Sequence, residues 1–295
     1  MRDVPFEYNT WPGRWGTPAA GVTWIVIALI SNQYPYAVFA GALIVVVGAK
    51  WLQSLIIHGE TRGVNLEARR GEPAVWLVAH LDSKSQPIPI LVRAAAIVAS
   101  VIIWVAMAGM ALLHAKTGWP AVTIAAVLAA LPVAISTVGA RSPGALDNAT
   151  GVATVLLAAE RVARSVPLGV LITSAEELGL AGARAWVRQQ GTKAPVIECD
   201  TIDDHGYLTI MHSHGRPERL IRAFERRAVR SRGVLPGILV DSVAFAEAGW
   251  DAVTVSRGTL ATLARIHRRA DSPDKLTGRG VAEAADIIAE ALEDV

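Results

Sequence analysis

The chain has 295 residues, of which 52% are hydrophobic and only 18% charged, with a mean hydropathy of +0.38. That balance is too apolar for a wholly soluble domain, and a membrane part is its simplest cause. A net charge of +2 gives no footing for nucleic acid, and a single cysteine, Cys199, excludes an internal disulfide framework.

The first residues carry Arg2, Asp3, Glu7 and Arg14 among aromatic and polar neighbours. No short apolar core with a small-residue cleavage site follows directly, so no cleavable signal peptide is expected. Four apolar runs come next. Residues 19–30 span a bilayer only if their helix extends over 15–33. Residues 36–49 follow a turn-like Ser31-Asn32-Gln33-Tyr34-Pro35 and continue past Lys50 into 51–57, with Lys50 placed to snorkel beside Trp51. Residues 94–113 and 119–138 are cleaner, each supplying roughly the 20 uncharged residues that a hydrocarbon core of about 30 Å requires. Pro120 sits where a helix begins, and the interior Pro132 is tolerated in a membrane helix.

Four transmembrane helices in two hairpins put the N-terminus, residues 58–93 and residues 139–295 on one side. That side carries Arg2, Arg14, Arg62, Arg69, Arg70, Lys84, Arg93 and Arg141, whereas the other offers Lys116 with His114 in one turn. Positive charge favours the cytoplasm, so the polar part is expected there. The domain reading is an N-terminal segment with a first hairpin over 1–58, a discontinuous polar domain over 59–88 and 139–295, and an inserted second hairpin over 89–138.

With the insert removed, the polar part alternates between strand and helix. Strands are expected at 74–79, 168–173, 195–199 and 252–256, with an edge strand at 207–211. Helices are expected at 151–165, 182–190 and 280–292, with an Arg-rich surface helix at 217–230. The pattern predicts an α/β fold, a mostly parallel mixed sheet covered by helices on both faces. Sites in such sheets form beyond the carboxyl ends of strands, where His80, Glu176, Glu177 and Asp200 fall.

Those residues carry the chemistry. Zinc takes imidazole nitrogen and carboxylate oxygen, and a pair of zincs roughly 3.5–4 Å apart needs a shared carboxylate with further ligands on each side. His80, Asp147, Glu177, Asp200 and His267 have the right types and number, although Asp203 and Asp204 compete with Asp200 close by. Asp82, two residues past His80, is placed to hold the free imidazole nitrogen. Glu176, beside Glu177, is placed to take a proton from a metal-activated water and return it to a leaving amine. His212 and His214 at strand spacing read as solvent-facing alternation, and Cys199 as core rather than nucleophile.

The chain resembles the zinc-dependent exopeptidases typified by bacterial di-zinc aminopeptidases, the group with leucyl aminopeptidase and glutamate carboxypeptidase-like catalytic domains. The resemblance spans about 62–88 and 140–280. It rests on VNLEAR (64–69), AHLDSKSQ (79–86), GALDNATG (144–151), SAEELGLAG (174–182), Asp200 and IHRRADSPDKL (266–276). It implies that His80 and Asp200 bind one Zn2+ ion, Glu177 and His267 a second, and that Asp147 bridges them, with Glu176 as general base. It also implies a peptide substrate cut at its N-terminal bond. Asp241-Ser242-Val243-Ala244-Phe245 is similar to a further family segment, without an assigned role. The family's first helix and strand are expected to be absent or reduced to 4–8, and the apolar insert between His80 and Asp147 is the larger departure.

The leading expectation is thus a membrane-anchored zinc aminopeptidase. A single-zinc aminoacyltransferase similar to glutaminyl cyclases uses the same fold, and a non-enzymatic membrane protein retaining that fold is the third reading. A transporter is disfavoured because the apolar helices hold almost no charge.

Overall fold

In chain order the computed structural model, which describes residues 1–235 and 237–294, contains β1 (Arg2–Tyr8), α1 (Trp11–Ser31), α2 (Ala37–Leu55), β2 (Thr61–Arg70), β3 (Val75–His80), α3 (Ile90–Leu112) and α4 (Trp119–Ala134). There follow α5 (Thr150–Arg161), β4 (Leu168–Thr173), α6 (Ala181–Arg188), β5 (Val196–Ile202), β6 (Tyr207–His212), α7 (Glu218–Glu225), β7 (Arg230–Gly233), α8 (Asp241–Glu247), β8 (Ala252–Gly258), α9 (Leu260–Arg265) and α10 (Arg279–Ala291). The chain divides into two units, one of Met1–Tyr8, Ile57–Lys84 and Arg141–Val295, the other of Asn9–Ile56 and Ser85–Ala140.

All eight strands lie in the first unit, in one mixed sheet of order β1-β2-β4-β3-β5-β8-β6-β7. Its centre, β4-β3-β5-β8, is parallel. Antiparallel pairing begins on either side, at β2 with β4 and at β6 with β8. Strand alternation sends side chains to two separate cores, which is why β3 reads as a continuous apolar run. Val75, Leu77 and Ala79 pack with Val155, Phe224 and Ile288 on one face, under α5, α7 and α10. Trp76 and Val78 pack with Trp186, Phe245 and Trp250 on the other, under α6 and α8.

The α/β class and the two covered faces agree with the sequence expectation, and the flanks refine it. The N-terminal strand is present as β1, paired antiparallel along β2 from Arg2 opposite Glu67 to Tyr8 opposite Thr61. β6 is not an edge strand, because residues 230–233 form β7 and pair parallel with it. The Arg-rich helix is correspondingly short and ends at Glu225.

The second unit holds α1 to α4. Gly21 lies so close to α4 that a Cβ there would stand 2.3 Å from the Ala134 backbone nitrogen, and a Cβ at Gly41 would meet the side chains of Ile27 and Trp104. Small residues let helix backbones approach where no hydrophobic drive separates helix from lipid. The Trp104 indole donates to the Val38 carbonyl at 3.1 Å, and Tyr36 Oη lies 3.2 Å from His114 Nδ1. The expected count of four transmembrane helices needs correction. Among the described residues, only α2 and α3 are long and apolar enough to cross a membrane. α1 has 21 residues but is diluted by Arg14 and by three glycines, Gly13, Gly16 and Gly21. α4 stops at Ala134 after 16 residues, two residues past Pro132.

Trp186 ties the second core together. It is fully buried, sits 4.6 Å from the Trp76 ring and donates its indole hydrogen to Glu67 at 2.8 Å. Trp186→Ala should lower the unfolding free energy of this unit by about 3–5 kcal/mol, read from denaturant melts in detergent.

Candidate metal centre

Five chain segments deliver the site. β3 ends on His80, and the chain leaves the sheet through Asp82 and Lys84. Glu176 and Glu177 follow the end of β4, after Ala175 turns the backbone with φ 57°. Asp200 lies within β5, where the pairing with β8 shifts register between Cys199 and Ile202 and Thr201 adopts φ 59°. A bulge of this kind re-aims a side chain beside a site. Asp147 sits in the turn Ala145–Ala149 before α5, and its peptide bond to Asn148 is cis. His267 stands just beyond α9 with φ 60°.

The residues named from the sequence as ligands meet here. His80 Nε2 is 3.2 Å from Asp147 Oδ1 and 3.8 Å from Asp200 Oδ1. His267 Nε2 is 2.9 Å from Asp147 Oδ2 and 3.4 Å from Glu177 Oε1. Two three-residue groups with metal-ligand spacing result, His80–Asp147–Asp200 and Asp147–Glu177–His267, and Asp147 offers one oxygen to each. Asp203 and Asp204 are used elsewhere. Asp203 accepts from Thr262 Oγ1 at 2.6 Å, and Asp204 accepts from the backbone of Thr277 and Gly280. His212 bonds the Gly215 carbonyl locally at 2.8 Å.

The donor set fits a pair of divalent cations. His80 Nε2 is buried without a hydrogen-bond partner, and it faces two carboxylates. The groups also prefer positive charge. Burial opposes protonation of His80, but Glu176, Asp147 and Asp200 outweigh it and hold the imidazole well above its usual range. Burial likewise opposes ionisation of Asp147, and the two histidines overcome it, keeping that carboxylate far below its usual range. Borderline ligands of this kind, imidazole with carboxylate, suit zinc.

Around them stands a second rank of carboxylates. The His80 Nδ1 partner is the main-chain carbonyl of Asp82 at 3.0 Å, with the Asp82 carboxylate at 3.8 Å. That carboxylate instead accepts the backbone N–H groups of Glu176 and Glu177, at 3.0 and 3.1 Å. Asp271 accepts from the N–H groups of Leu146 and Asp147 at 2.6 and 3.2 Å. Glu198 accepts from those of Asp241 and Ser242 at 2.6 and 2.8 Å.

Sequence reasoning did not single out Glu198, Asp271 or Lys84. Glu198 was legible only as the one charge inside an apolar strand run. Burial, then Asp241 and Asp200, push its carboxyl up to about 8. Asp241 is buried too, and is raised to about 7, first by burial and then by Asp82 and Asp200 against the pull of His80. Lys84 contacts Glu177 twice, through its ammonium on Oε2 and its backbone N–H on Oε1 at 3.1 Å.

Asp82 therefore acts on the glutamate pair through the backbone. An asparagine there offers one acceptor and turns an NH2 group toward the second N–H. Asp82→Asn should weaken zinc binding roughly 10–100-fold, as read by competition with a chromophoric chelator.

No curated protein matches the chain by sequence. Among solved structures the fold is similar to an aminopeptidase from Aneurinibacillus sp. strain AM-1, with 16% identity and a TM-score of 0.51 over 78% of this chain and 47% of that one. It is also similar to BSAP, a zinc aminopeptidase from Bacillus subtilis, with 18% identity and a TM-score of 0.50 over 79% of this chain and 50% of that one. A third is LapA of Legionella pneumophila, with 16% identity and a TM-score of 0.50, over 78% of this chain and 56% of that one. The chain thus spans about half the length of these structures, and the likeness is one of fold. The family model of peptidase family M28 matches residues 63–292, well over half of the chain, and the chain belongs to that family.

Proposed function

We propose that this chain is a membrane-held, zinc-dependent aminopeptidase that hydrolyses the N-terminal peptide bond of its substrate. The observation that carries the reading is the pair of ligand groups sharing Asp147, with the Glu176 carboxyl beside them. His80 and Asp200 would hold one zinc, Glu177 and His267 the other, and Asp147 would bridge both. Bound zinc supplies Lewis acidity, which lowers the pKa of a water and polarises the scissile carbonyl.

Glu176 is the proposed general base. It is buried, and burial, then Glu177 and Asp241, raise its carboxyl well above the usual range. A carboxylate of raised basicity accepts a proton from the attacking water near neutral pH and gives it back to the departing amine. Asp82 holds the Glu176 N–H, which fixes the direction of that side chain's backbone.

The membrane reading rests on α2 and α3. Large apolar side chains on both point outward, among them Leu43, Ile44, Ile102 and Val105, each more than half exposed. Core helices of a soluble domain bury such residues. In this reading α2 and α3 hold the chain at the membrane, residues 59–88 and 139–295 form the peptidase domain, and the excess of Arg and Lys argues for a cytoplasmic position of that domain. α1 and α4 complete the bundle with fewer apolar residues than a full span.

The test is hydrolysis of a leucyl anilide by the full chain in detergent. A chelator should abolish activity and added zinc restore it. Glu176→Gln should lower kcat about 10²–10⁴-fold with metal content unchanged. Full activity in that variant would remove Glu176 from the mechanism.

A further inference from the structure

The Lys84 cation is placed directly on a proposed metal ligand. Its ammonium lies against Glu177 Oε2, and its side chain is mostly buried. The same residue's N–H holds Oε1, the oxygen that faces His267 at 3.4 Å. Glu177 therefore presents one oxygen toward His267 while the other is engaged by a fixed positive charge. On the other side His80 Nε2 faces two carboxylates, Asp147 at 3.2 Å and Asp200 at 3.8 Å.

We propose that Lys84 makes the two metal positions unequal, weakening the one built on Glu177 and His267 so that it fills at a higher zinc concentration than the one built on His80 and Asp200. The inference rests on the two-metal reading above. Its physical basis is a like-charge interaction in a water-poor setting, where a dication and an ammonium sharing one carboxylate repel. The ammonium also takes Oε2, which leaves Oε1 as the oxygen that a partly neutralised Glu177 would offer to a metal. Lys84 is here a positioning residue, since it acts through Glu177.

The test is a zinc titration of the full, metal-stripped chain in detergent against a chromophoric chelator, which reads affinity without reference to catalysis. Wild type should show two separate steps. Lys84→Met should tighten the weaker step by roughly tenfold or more while leaving the tighter step in place, which also reports that the site is folded. Lys84→Arg keeps the charge and should keep the wild-type separation. An unchanged or weakened second step in Lys84→Met, or an identical gain in Lys84→Arg, overturns the proposal. If wild type takes up a single zinc, a second zinc gained in Lys84→Met supports it, and none gained overturns it. Loss of both steps in Lys84→Met with wild-type steps in Lys84→Gln would place the effect in folding and overturn it as well. If no variant, wild type included, binds zinc, the metal reading itself fails, a result distinct from a failure of Lys84 alone.

Discussion

Bringing Asp82, Asp147, Glu176, Glu177 and Asp200 into one place is the act on which the rest of the site depends. Three of the five are buried outright. Carboxylates so crowded either take up protons or find positive charge. Both responses are visible. Glu176 is raised well above its usual range, first by burial, whereas Asp147 is drawn far down by the two histidines despite its burial. Glu177 follows Asp147, lowered despite its burial by the Lys84 ammonium together with His267. Neighbouring glutamates in one sequence motif thus acquire opposite proton preferences, the separation that acid–base and ligand roles require.

A recurring device holds this crowd still. Asp82, Asp271 and Glu198 each accept two consecutive backbone N–H groups, at 176–177, 146–147 and 241–242. Each pincer fixes the direction of a segment outside the sheet. The segments that carry the site residues contain unusual backbone, with positive φ at Ala175, Thr201 and His267. Such conformations persist only where surrounding bonds over-determine them. Glycines complete the fit by letting chain segments touch. A Cβ at Gly151 would meet the Cys199 carbonyl at 2.4 Å, and one at Gly182 the Ser174 carbonyl at 2.2 Å.

The parts of this arrangement that were legible in the sequence were those with local signatures. His80, Glu176, Glu177 and Asp200 stand at or near the ends of apolar strands, Asp147 and His267 in short motifs beside helices, and the geometry brings all six together. The parallel centre was legible because strands buried on both faces are continuously apolar. What was hidden depends on distant partners. Lys84 reads as a polar loop residue until its contact with Glu177, 93 positions away, is seen. Glu198 disappears into the apolar run of β5, since its donors come from Asp241, Ser242 and Thr254. The helix count failed for another reason. Run length measures hydrophobicity, not where a helix stops, and α4 ends at Ala134, before the apolar run does.

The apolar insert lies between His80 and Asp147, residues that must stand 3.2 Å apart. Its two ends are stitched together. Ser85 and Gly139 exchange both backbone hydrogen bonds at 2.8 Å, and Ser83 Oγ donates to the Ser142 carbonyl. Gly144, at φ 71°, comes so close to Ser83 that a Cβ would stand 2.6 Å from the serine's own. The outgoing and returning segments therefore run side by side before the chain reaches Asp147. Closure of the insert is achieved locally, by backbone pairs and a glycine turn. Because the cost of closing a loop grows only slowly with its length, a clasp of this kind makes the site indifferent to how much chain lies beyond it. A helical hairpin can then be accommodated inside a peptidase domain without displacing either ligand.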